Sequence, residues 1–153
     1  MATQYTAGLS AGQVLTAATM NSIGAAWETW TPALTASTTN PTLGTGSSQT
    51  GQYGRINKIV IGNGAISFGT AGVAAGSGLY FFSIPVTAQA AGPVCGSWFA
   101  YDASTGAIRV GTLGLDSTTR MVLQYEGSYM SNGAPWTWAA SDLIRVAFYY
   151  QAA

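Results

Sequence analysis

The stretch that decides the fold is Leu143-Ile-Arg-Val-Ala-Phe-Tyr-Tyr-Gln151. Ile144, Val146, Phe148 and Tyr150 alternate in it with Leu143, Arg145, Ala147 and Tyr149. In an extended chain a period of two puts the first set on one face and the second on the other. The first set carries no charge and is expected to face a core. The stretch contains Arg145 and falls far short of the ~20 apolar residues that span a bilayer. It therefore reads as a strand, and insertion into a membrane is not expected.

Working outward, seven further runs of strand character are separated by Gly, Pro, Asn, Ser and Thr: 30–34, 51–56, 58–68, 79–86, 94–101, 107–113 and 121–129. Short strands with such punctuation are the habit of an antiparallel sandwich, and about eight of them is the jelly-roll number. In 58–68, Val60, Ile66 and Phe68 make a partial apolar face. Gly62-Asn63-Gly64 would permit a hairpin there, but a single long strand kinked or bulged at the glycines is the preferred reading. The stretch 35–50 reads as an extended surface crossing and 70–78 as a glycine-rich loop. Asp102 to Gly106 and Asn132-Gly133 have turn chemistry.

Ahead of the strands, residues 16–28 read as the one helix. Met20, Ile23, Trp27 and Trp30 recur at offsets that form a stripe, with Thr16 as N-cap. A helix this short, with Gly24 inside it, is marginal alone, so its stripe needs a surface supplied by this chain or by another. The chain thus divides into a leader, 1–30, and a β-sandwich, 31–153. No basic residue precedes Arg55, so no secretory signal pattern is expected.

Composition narrows the function. Of the 153 residues only 7% are charged, against about a quarter in ordinary domains, while the hydrophobic share is an ordinary 48%. Five basic and five acidic residues cancel, leaving no basic patch for nucleic acid. A surface kept wet by hydroxyls rather than by charge suits a protein that lives in an assembly. The chain has no histidine, which removes His-based triads and His/Cys zinc sites. Gly8-Leu9-Ser10-Ala11-Gly12 matches a nucleophile elbow but lacks a base. Cys95 is alone and reads as a small half-buried strand residue.

Asp102, Asp116, Glu126 and Asp142 are the carboxylates that could flank a glycosidic bond, yet none sits in a motif, and a solvated turn is the expected place of each. Asp102-x-Ser104-x-Gly106 lacks the further carboxylates that calcium requires. No enzyme, metal or cofactor is expected. Aromatic residues concentrate in the last third, and Tyr101, Tyr125, Tyr129, Trp136 and Trp138, with Asp102, are the candidates for a ligand-facing surface. Filling of the core and of a subunit interface is the competing use.

Two stretches resemble bacteriophage virion proteins. Leu9 to Asn21, with Leu15-Thr-Ala and Met20-Asn21, is similar to the opening of many phage tail and fibre proteins. Trp30-Thr-Pro-Ala-Leu34 through Gly46, Gly51-Gln-Tyr-Gly-Arg-Ile56, Ile66-Ser-Phe-Gly69, Gly76-Ser-Gly-Leu-Tyr80 and Ser83-Ile-Pro85 follow the order of the β-domain of tail-fibre and minor tail proteins. Pro135-Trp-Thr-Trp138 followed by Asp142 resembles that domain's closing motif. The resemblance implies a jelly-roll-like sandwich, a homotrimer, and a place on the exterior of a virion. It also implies partners among tail or capsid proteins, with a bacterial surface glycan as a further candidate. Leu15, Met20, Ile23, Trp27 and Trp30 would then be the attachment residues. No shaft separates leader and sandwich, which favours a compact knob. A capsid decoration protein and a carbohydrate-binding module are the alternatives.

Overall fold

The computed structural model describes residues 26–153. Ten strands run β1 Glu28–Trp30, β2 Leu34–Ala36, β3 Ser48–Ile56, β4 Ile59–Ser67, β5 Tyr80–Ser83, β6 Val94–Tyr101, β7 Ile108–Leu115, β8 Arg120–Tyr125, β9 Ser128–Tyr129 and β10 Leu143–Gln151. All pair antiparallel in the order β1-β3-β4-β10-β6-β7-β8-β5-β2, with β9 attached to β8. Nine strands laid flat would put the two edges roughly 38 Å apart at about 4.8 Å per step. Yet β1 and β2, the two edges, are joined only by Thr31-Pro32-Ala33, which bridge roughly 14 Å at most between Trp30 and Leu34. The sheet must therefore curl until its edges meet, giving a half-barrel with two facing layers.

The core fills that curl. Ile144, Val146, Phe148 and Tyr150 of β10 are buried, and so are Val60, Ile66 and Phe68, as their alternation requires. Arg145, Ala147 and Tyr149 point outward. β10 is central: it pairs with β4 along its whole length and with β6 from Leu143 to Phe148.

Several sequence expectations need correction. The described residues hold ten strands rather than about eight, because 30–34 breaks at Thr31-Pro32-Ala33 and 121–129 breaks at the turn Glu126-Gly127. β4 is one long strand, as preferred, but its register with β3 and β10 runs unbroken through Gly62-Asn63-Gly64. Those glycines make room: a Cβ at Gly62 would run into the Phe148 ring, and one at Gly64 into Phe82 and Trp30. The irregularity lies instead in β6, between Val94 and Gly96.

The stretches 35–50 and 70–78 are not independent loops. Their backbones pair antiparallel, with Thr39 exchanging bonds with Ser77 at 3.1 and 2.9 Å and Thr42 with Ala74 at 2.8 and 3.0 Å. Gly76 and Gly78 permit the approach, since a Cβ on either would strike the facing segment at Thr39 and Ser37.

Residues 16–25 of the expected helix lie outside the described residues. Its far end is not helical: Glu28–Trp30 is strand, paired with β3 as Glu28↔Tyr53 and Trp30↔Gly51. Tyr53 donates to Glu28 Oε2 at 2.7 Å. The sheet thus begins inside the leader as drawn from sequence, at Glu28 rather than after Trp30.

Candidate functional site

The two leader tryptophans that the helical reading put on one stripe lie on opposite faces of the sheet. Trp30 points inward, edge-on to Phe82 and Phe148 at 6.1 and 5.9 Å between ring centroids, and its Nε1 donates to the Asn63 carbonyl at 3.1 Å. Trp27 points outward and is 56% exposed. With Ile61, Val94 and Tyr149 it rims a shallow depression of about 530 Å³ on the outer face. Leu15, Met20 and Ile23 lie outside the described residues.

That outer face is apolar. Tyr149 stands beside Ile61 and Ala147 beside Ser97, while Phe99 links Arg145 to Val110 across adjacent strands. Tyr149 is 62% and Val110 66% exposed, and Arg145 is the one charged side chain on these outward rows of β4, β10 and β6. An antiparallel sheet facing only water ordinarily turns polar residues outward. A contiguous apolar face instead marks a contact surface.

A second surface is polar and aromatic. Tyr125, Tyr129 and Glu126 line a groove of about 390 Å³ together with Val110, Thr112 and Gln124, over Gly111. That volume is within the usual range of small-molecule sites, about 300–1,000 Å³. Tyr125 is braced edge-on by the buried Trp98, 6.0 Å away at 81°, whose Nε1 donates to the Gln124 carbonyl at 3.0 Å. Gly111 makes this possible, because a Cβ there would enter the Trp98 indole.

The groove's mouth is the two-residue hairpin Glu126-Gly127 between Tyr125 and Ser128. Both turn residues have positive φ, 46° and 77°, the demand of a type I′ turn, which prefers Asn, Asp or Gly. A glutamate held left-handed costs about 1–2 kcal/mol. Tyr129 is 43% exposed.

The remaining candidates do not join this groove. Tyr101 ends β6 between Leu143 and Ile108. Trp138 is a core residue, stacked on Phe68 at 5.5 Å and 18° with Nε1 donating to the Ser131 carbonyl at 2.9 Å. Trp136 leans on it at 5.4 Å, half-buried, its Nε1 without a partner among the described residues. Asp102 and Asp142 occupy turns as expected, but they are buried rather than solvated.

Asp102 Oδ1 accepts from the Ser104 amide at 2.9 Å and hydroxyl at 2.7 Å, and Oδ2 accepts from the Thr105 hydroxyl at 2.7 Å. The side-chain bonds from Ser104 and Thr105 hold this carboxyl below its ordinary pKa. Asp116 pairs with Arg120 at 2.6 Å. Cys95 is fully rather than half buried, and burial pushes its thiol up to about 11. Thr112, Gln124 and Glu126 escaped notice as groove residues, since only the strand register puts Thr112 and Gln124 on one face with Tyr129, while Tyr125 takes the opposite face against Trp98.

No family model, no curated protein and no solved structure matches this chain.

Proposed function

We propose that this protein is a structural component of a bacteriophage virion: a short trimeric knob on the tail or capsid surface, mounted through its leader with the sheet lobe turned outward. In this reading the curled sheet is a jelly-roll-like sandwich, and no step of catalysis is involved. The observation that carries the reading is the apolar outer face that starts at Trp27, the point where the leader joins the lobe. The 25 residues before Ala26 contain no charged side chain, and Arg145 is the one charge on the outward rows of the face, so little charge opposes burial of either against a neighbour. Burial there contributes about 1.5–3 kcal/mol per large side chain before entropy.

The test is the double substitution Ile23→Asp, Trp27→Asp. Trp27 is more than half exposed, so the lobe should melt close to the parent. The variant should be missing from purified particles. A variant that enters particles at parental copy number overturns the mounting role. Particles lacking the protein that adsorb normally but break on heating would make it a capsid decoration.

A further inference from the structure

We propose that Asn132-Gly133 is a self-modifying site, at which the folded chain converts its own asparagine to aspartate and isoaspartate. In an Asn-Gly pair the backbone nitrogen after the asparagine can reach the side-chain carbonyl, because glycine carries no Cβ to crowd the attack. The chain holds two such pairs, Asn63-Gly64 and Asn132-Gly133, in opposite surroundings. Gly64 is buried within β4, between unbroken ladders to β3 and β10, which commit its N–H and fix its backbone. Asn132-Gly133 instead forms the two-residue turn between Ser131 and Ala134, which bond to each other at 2.9 and 3.4 Å. Gly133 is exposed, and a Cβ added to it would meet nothing.

The turn sets a group at each place where the reaction needs one. The Gly133 N–H donates to Ser131 Oγ in a long bond of 3.4 Å, so an acceptor stands beside the nitrogen that must lose its hydrogen. Asn132 Oδ1 accepts from the Gly78 amide at 3.1 Å, a donor aimed at the oxygen that takes up charge when its carbonyl is attacked. The Asn132 amide donates to the Gly78 carbonyl at 3.2 Å, and the Ser131 carbonyl is held by the Trp138 indole. The frame is therefore fixed before the reaction begins.

The Gly133 nitrogen bonds to Asn132 Cγ, the Cγ–Nδ2 bond breaks, and the proton lost by Gly133 leaves with Nδ2 as ammonia. Water then opens the five-membered imide at either carbonyl. The net change is one water consumed and one ammonia released, and a chain of five acids and five bases gains a negative charge. Opening to isoaspartate routes the main chain through the former side chain, which breaks the geometry that gave Gly78 its two bonds.

The full chain should be held at pH 8 and 37 °C, folded or in urea, and its peptides followed by mass for the amide-to-acid change. Asn132 is expected to convert at least as fast in the folded chain as in urea, and Asn63 only in urea. Gly133→Ala, which the open space admits, and Ser131→Ala should each slow the folded reaction about tenfold or more while leaving the melting temperature near that of the parent. Aged protein should also be cut between 70 and 78 sooner than fresh protein. Slower conversion of Asn132 in the folded chain than in urea, conversion of Asn63 alongside it in the folded chain, or a rate that neither variant lowers overturns the assignment.

Discussion

Asp142 has no exposed surface, and each of its carboxylate oxygens serves a different loop: Oδ1 accepts from the Ala103 amide at 3.0 Å and Oδ2 from the Ala139 amide at 2.9 Å. Replacing it by Ala strands both donors in the interior. The expected loss is about 2–4 kcal/mol by urea denaturation. Asp102 acts through pH. Its folded carboxyl titrates below the unfolded one, so its contribution is full above the ordinary carboxylate pKa, about 4, and fades as pH falls through the lower folded value. Melting temperatures measured from pH 5 to pH 2 should fall less steeply in Asp102→Asn than in the parent. At the Cys95 thiol, burial and a pKa pushed up to about 11 mean that a disulfide reagent at pH 8 should label the protein no faster than it unfolds. The turns around Asp102 and Asp142 were legible from residue type. Their burial was not, because Asp142 meets Ala103 across 39 positions of sequence.

Among elements, β1 shows how local pattern and tertiary packing compete. Met20, Ile23, Trp27 and Trp30 fit a helical stripe, yet Trp30 has a place that only a strand can deliver it to. Gly51 lies opposite it on β3, and Gly64 of β4 stands beneath its indole. These glycines read as weak points in strands, when together they are the mould of one side chain. Gly51→Ala should destabilise the protein by about 1–3 kcal/mol through overpacking. Adding Trp30→Leu should recover part of that loss, and a double-mutant cycle by chemical denaturation measures the coupling. In β10 the outcome was the reverse: strict alternation with one charged residue was sufficient, because both edges of that strand are paired, by β4 and β6, and only one of its faces is packed. The turn Glu126-Gly127 was hidden for a third reason, since glutamate is no signal for a left-handed position. With it the groove that Thr112, Gln124 and Tyr129 line was also hidden.

At the scale of the molecule, the strand order could not be read from the chain. Periodicity shows which residues face inward, not that β10 lies between β4 and β6 or that β1 and β2 close the curl. The pairing of 37–45 with 69–79 was equally silent, because its bonds are backbone to backbone and its glycines resemble those of a loop. Both segments are pinned along their lengths, so limited trypsin-independent digestion with a broad-specificity protease should spare them until global unfolding. Removal of residues 143–153 should abolish cooperative unfolding by circular dichroism, since it leaves β4 and β6 facing an empty lane.

The lane between β4 and β6 is filled by the last of the described strands to leave the ribosome. Until it emerges, the nascent polypeptide holds two bare edges, on β4 and β6, that can recruit a foreign strand as readily as the proper one. The growing chain is therefore at its most adhesive just before that strand emerges. Slowing translation ahead of Leu143 should increase inclusion bodies, whereas the same pause ahead of Ser48, before β4 and β6 exist, should be harmless.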